Sequence, residues 1–271
     1  MRYERAQTNN PHTLTIEQHV LPKAIIKRYT QANGKVSVYW RPKQNCESWK
    51  PIDPRFCVKR VWDQRTEEGY PKKLENDFDT LTKEIISGGK KMPDIGTVEN
   101  QTISYFNQLW KWRFKANCTE FPNIKTGLQG CVSSKDKQEI LEKNGYIFTS
   151  DDGIMQSRFL AGIHRMVQNI VLHRLGLLEK IWGIVKSETI EFIVPDSFGD
   201  IDIVPVSPNF CLVEKSLAYD LFPFLMRFFS ANIGIAVISP KDAIEINKIA
   251  VREYCQYYFA RDFSKSLPFV A

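Results

Sequence analysis

Near residue 180 the hydrophobic pattern of this chain changes period, and that change limits the class of fold open to it. Before that point, apolar side chains recur every three to four residues. In LENDFDTLTKEII, Leu74, Phe78, Leu81 and Ile85 fall on one face of a helix. Phe106, Leu109 and Trp110 mark a second helix over about residues 97–115. Phe159, Ile163, Met166, Val167 and Ile170 mark the core face of a third over about 154–178, stopped near Gly176. Beyond it come short β-branched runs at 182–185, 191–194, 201–206 and 210–213. Pro205 and Pro208 confine the third run to a short or edge strand. The pattern predicts an α+β fold: a mainly helical single domain over residues 1–271, with a small central β-sheet chiefly in the C-terminal half.

The connections are legible from turn chemistry. Pro22 suits the first position of an opening helix, and Asn33-Gly34 turns the chain into an alternating strand at 35–40. Residues 41–63 mix Pro, Cys, Trp and charge and read as irregular, and 87–91 read as a loop. Residues 116–153, with several Gly, Asn and Lys, read as an insertion or lid carrying a short helix near 135–144. Ser239-Pro240-Lys241-Asp242 opens the last long helix with a capping serine, an early proline and an acid in the first turn. The apolar run LAYDLFPFLMRFF is too short and too interrupted to span a bilayer.

Composition narrows the function classes. A chain of 271 residues, 43% hydrophobic, can bury a substantial core, and a net charge of +6 permits nucleic-acid or acidic partners. The opening MRYERAQTNNPHTL lacks the apolar core of a signal peptide, so a cytoplasmic location and no membrane partner are expected. The six cysteines form no CxxC pair and no finger spacing with histidine, and read as ordinary thiols. HExxH, GxSxG, the P-loop and GxGxxG are all absent.

Four polar residues stand out by position. His19 occupies the rigid corner before Pro22, a setting that fixes an imidazole. Arg113 continues the apolar stripe of Phe106, Leu109 and Trp110, and must snorkel or be paired. Asn247 lies on the stripe of Ala243, Ala250 and Tyr254, and Asp196 follows a buried strand at its end. Together they would supply a general acid/base, an anion clamp, an orienting acid and an amide. Asp196, Asp200 and Asp202 form an acidic cluster of the kind that binds Mg²⁺, without a lysine at nuclease spacing. Lys27, Arg28, Lys111, Trp112 and Lys115 are candidate nucleic-acid contacts, since aromatics stack bases and cations hold phosphates. Arg158 and His164 resemble the Arg–His motif of HEPN-type ribonucleases, with Phe159 where that motif carries a polar residue.

An ordered series of motifs resembles the prokaryotic family described as domain of unknown function 4238. It runs from His19-Val20-Leu21-Pro22 and Lys27-Arg28-Tyr29, through the helix bearing Glu75, to the Phe106–Arg113 stretch. It continues with Trp182, Phe192-Ile193-Val194-Pro195-Asp196, Pro205-Val206-Ser207-Pro208 and Asn247. Phe114-Lys115 replaces that family's Thr-Pro, and Val194-Pro195-Asp196-Ser197 lacks its asparagine. The resemblance selects His19, Arg113, Asp196 and Asn247 and implies no established activity. The expected function is a toxin-like nuclease acting on RNA in anti-phage defence, with a homodimer or a partner protein controlling it. The alternative is a non-catalytic nucleic-acid- or protein-binding module. Neither calls for a cofactor beyond Mg²⁺ at the acidic cluster.

Overall fold

The computed structural model describes residues 4–89, 96–130, 132, 134–174, 180–220, 222–225 and 235–267. The chain forms two compact units, each assembled from three stretches. Unit 1 comprises residues 1–20, 54–74 and 112–177; unit 2 comprises 21–53, 75–111 and 178–271. The first half runs β1 (Glu17–His19), α1 (Lys23–Lys27), β2 (Val36–Trp40), β3 (Asn45–Trp49), β4 (Cys57–Lys59), α2 (Gln64–Glu68), α3 (Tyr70–Ile86) and α4 (Thr97–Cys118). Then come β5 (Ile124–Lys125), α5 (Lys135–Lys143), β6 (Ile154–Met155), α6 (Ser157–Arg174), β7 (Trp182–Lys186) and β8 (Val194–Pro195). The described chain closes with β9 (Ile203–Ser207), β10 (Phe210–Glu214), α7 (Lys215–Asp220), β11 (Ala236–Val237), α8 (Pro240–Glu253), β12 (Tyr257–Ala260) and α9 (Phe263–Ser266).

Unit 2 carries two four-stranded sheets, ordered β11-β7-β10-β9 and β3-β2-β12-β8. The second is antiparallel throughout, and in the first only β11 runs parallel to its neighbour. β9 is buried along its whole length and ends its sheet, the position that a strand containing Pro205 requires. α8 starts where its sequence says it should: the Ser239 hydroxyl accepts from the Asp242 N–H, and Pro240 opens the helix.

Unit 1 pairs β1 with β4 and β5 with β6, both antiparallel. Gln18, 1% exposed, stitches β1 to the turn before α2: its Oε1 accepts from the Val61 and Trp62 N–H groups, and its Nε2 donates to the Trp62 carbonyl. Val132, Phe148 and Phe159 form an apolar cluster with Leu141 and Met155 packed against it. Residues 116–153, read from sequence as an insertion or lid, thus contribute to the interior of unit 1.

The expected fold class is overturned. The protein is 43% helical and 19% strand, with four sheets spread through the chain rather than one central sheet in a mainly helical domain. The cause is non-local pairing. Residues 41–63, read as irregular, hold β3 and β4. β3 has the sequence Asn45-Cys46-Glu47-Ser48-Trp49, which lacks an apolar alternation, and its pairing with β2 places only Trp49 in the core. β2 in turn pairs with β12, which lies near the other end of the sequence. A strand held from so far away leaves little local signal.

The face of α6 is corrected as well. Met166, Val167 and Val171 are 48%, 49% and 45% exposed, and Ile163 is half-buried. Phe159 is buried as expected, but the rest of the buried face carries Arg158, Ala161, Gly162 and Arg165. Gly162 permits this approach, because a Cβ there would meet Asp63 Oδ2 and Thr66 Oγ1 at 2.6 Å. The expected stop near Gly176, the Ile170 side chain, Lys90 and Lys91 of the 87–91 loop, Cys131 and much of LAYDLFPFLMRFF lie outside the described residues.

Candidate functional site

His19 ends β1 directly opposite Cys57 on β4, and the pairing register puts both side chains on one face. The Cys57 Sγ lies 3.4 Å from His19 Nδ1, and both residues are half-buried. The rigid corner inferred from Pro22 therefore gains a second restraint, a thiol on one ring nitrogen. Cys57 was not singled out by sequence, because only the cross-strand register makes it a neighbour of His19.

Arg113 is 3% exposed on α4, so it does not snorkel. Its Nη2 lies 3.8 Å from Glu67 Oε2, and its Cζ sits 5.6 Å from the centre of the Trp62 ring. The same Glu67 oxygen accepts from Trp62 Nε1 at 2.6 Å, so the carboxylate is shared. Trp62 packs on Trp112 with ring centres 5.2 Å apart. Arg165 of α6 sets its Cζ 5.8 Å from the Trp112 ring centre. His19, Cys57, Arg113 and Arg165 all belong to unit 1.

Asp196 and Asn247 belong to unit 2, and their polar atoms are engaged by backbone. The Asp196 carboxylate accepts from the N–H groups of Cys255 at 2.8 Å, Gln256 at 2.7 Å and Tyr257 at 3.4 Å. Burial pushes its pKa up to about 6, against the pull of those N–H groups. Asn247 is fully buried; its Oδ1 accepts from the Ile193 N–H, and its Nδ2 donates to the carbonyls of Glu191 and Ser266. Both residues organise chain ends around β8 and β12.

The acidic cluster does not gather. Asp200 is exposed, and Asp202 is held by Asn107 at 2.5 Å, by Lys111 at 2.8 Å and by Lys180. The lysine charges lower its pKa against the effect of its burial. Among the described residues no three His, Cys, Asp or Glu side chains are placed to hold a metal. Mg²⁺ coordination through Asp196, Asp200 and Asp202 is accordingly not supported by their positions.

The basic-aromatic helix also differs from expectation. Trp112 is 3% exposed, so its ring is packed in the core and unable to stack a base. Lys111 is tied to Asp202, and Arg28 is tied to Asp79, Thr82 and the Val206 carbonyl. Of the five candidate nucleic-acid contacts, Lys27 and Lys115 alone are exposed. Arg158 likewise serves the interior. It binds Glu142, which Arg60 also binds at 2.6 Å, and it reaches Glu4. His164 is exposed, and its Nδ1 accepts from Trp112 Nε1 at 3.3 Å, which places the proton of the neutral ring on Nε2. A cleft of about 520 Å³ in unit 1 is lined by Arg60, Arg158, Glu4, Phe121 and Ser157 among others, but its two arginines are already neutralised by Glu4 and Glu142.

No family model, no curated protein and no solved structure matches the chain. The likeness to domain of unknown function 4238 rests on the ordered motifs alone.

Proposed function

We propose that this protein is a toxin-like nuclease acting on RNA, with His19 as general acid/base and Arg113 as the group that holds the phosphate. The observation that carries this reading is the fixing of the His19 imidazole by Cys57 across the β1–β4 pair. A proton-transfer group works best when a contact on its second nitrogen sets the ring plane. In this reading His19 takes the proton of a ribose 2′-hydroxyl as that oxygen attacks the adjacent phosphorus. The bond from phosphorus to the 5′-oxygen breaks, and the leaving oxygen takes up a proton, giving a cyclic phosphate and a 5′-hydroxyl end. Asp196 and Asn247 have no part in it, because backbone groups engage them.

The test is cleavage of RNA by purified protein and growth on induced expression, with wild type beside His19→Ala. Cleavage leaving 5′-hydroxyl ends, lost in a variant with an unchanged melting temperature, supports the proposal. RNA left intact by the wild type, or cut equally by the variant, overturns it. RNA bound but uncut by both proteins would make the chain a binding module instead.

A further inference from the structure

Arg165 is 2% exposed, and its Nε, Nη1 and Nη2 are all buried with no hydrogen-bond acceptor among the described residues. A guanidinium cannot shed its charge at any working pH, so the usual escape of a buried ionisable group is closed. Burial, and next the Arg113 cation, pull its pKa down to about 10, which still leaves it charged at pH 7. The Trp112 face at 5.8 Å offers some stabilisation but satisfies no N–H. Arg113 lies 3.8 Å from the Glu67 carboxylate, which also accepts from Trp62 Nε1.

The contrast with the other buried arginines of the unit is instructive. Arg60 and Arg158 are as deeply buried, yet each binds a carboxylate within ordinary ion-pair distance. The fold can therefore neutralise a buried arginine where it needs to, and among the described residues none pairs with Arg165. Removing a buried charge's partner is strongly destabilising, which makes an anion from outside the chain the economical solution.

We infer that Arg165 anchors a binding site for a phosphate group within unit 1. A buried guanidinium with all three nitrogens unengaged suits an oxyanion better than a halide, since its planar fork presents paired N–H donors to two oxygens. The phosphate can be free, or carried by a nucleotide whose base meets an aromatic side chain. The inference rests on burial and charge, not on His19, and stands apart from the RNA-cleavage proposal.

The experiment uses the full chain. Phosphorus is assayed in protein purified without phosphate. Melting temperature is then followed with sodium phosphate, with adenosine 5′-monophosphate, and with sodium chloride at equal ionic strength, for wild type and Arg165→Met. The wild type is expected to carry phosphorus, or to gain about 5–10 °C at a hundredfold excess over Kd, where chloride does nothing. Arg165→Met is expected to lose the response and, lacking the unpaired charge, to melt no lower than the anion-free wild type. A larger gain with the nucleotide than with phosphate identifies a nucleotide site; equal gains identify phosphate alone. Wild type that carries no phosphorus and responds to neither anion overturns the inference, as does an equal response in Arg165→Met. Should that variant fail to fold, Arg165→Lys replaces it, and its expected result is at least a tenfold weaker phosphate dependence. Failure of RNA cleavage with a retained phosphate response strikes the nuclease proposal alone.

Discussion

Replacing Asn247 by alanine should destabilise this protein rather than disarm it. The Asn247 side chain is fully buried and makes three hydrogen bonds, at 2.9 Å from the Ile193 N–H and at 2.8 Å to each of the Glu191 and Ser266 carbonyls. Alanine leaves one buried N–H and two buried carbonyls facing a small cavity. An orphaned buried polar group costs about 1–3 kcal/mol. At the lower end of that range for each group, plus a small cavity, the loss is about 3–5 kcal/mol. For a chain of this size that is a fall in melting temperature on the order of 10 °C. Urea unfolding followed by tryptophan fluorescence should show a lower midpoint with an unchanged slope. Asn247→Leu fills the volume without making the bonds, and should do no better than alanine. Asn247→Asp keeps the acceptor for Ile193 but sets a carboxylate against two carbonyls, and should also fail near neutral pH. A loss below ~1 kcal/mol in Asn247→Ala, or wild-type stability in Asn247→Leu, would refute the reasoning. So would RNA cleavage abolished at an unchanged midpoint, because that pattern belongs to a catalytic amide.

Two further outcomes follow from the buried charges. The Asp196 carboxyl, raised to about 6 from an unfolded value near 3.9, is held in its protonated form more readily by the folded state than by the unfolded chain. Its contribution to stability is therefore fully present below about pH 4 and is lost as pH rises to about 6. Urea midpoints of wild type and Asp196→Asn between pH 4.5 and 7 should move in favour of the variant as pH rises; a constant gap contradicts the assignment. Glu142→Gln removes the carboxylate shared by Arg60 and Arg158 and should cost about 3–5 kcal/mol, while Arg60→Met/Glu142→Leu/Arg158→Met should regain most of it. A loss under ~1 kcal/mol in Glu142→Gln would show that the network contributes little.

What the sequence discloses here depends on how far away the decisive partner lies. Local signals are sufficient for the Ser239 cap and for the Leu74, Phe78 and Ile85 stripe, because each is set within two or three turns of one helix, whereas for Arg113 they leave snorkelling and burial both open. Strands β3 and β12 and the His19–Cys57 pair escaped, because their partners come from distant parts of the sequence and pairing register carries no local mark. On α6 the sequence offered two faces, one apolar and one carrying Arg158, Gly162 and Arg165, and the apolar one was the natural choice. Of the apolar one the fold buries Phe159, and it buries the other as well, because Glu142 on α5 neutralises Arg158 and Gly162 lets the helix approach α2. Pattern reading treats a charged residue as solvent-facing until a partner is found, and for Arg158 the partner exists elsewhere in the chain. For Arg165 none exists among the described residues, so no closer reading of the pattern could have paired it. A buried charge that the rest of the fold leaves unanswered is information of a different kind, since it concerns what the protein binds as well as how it folds.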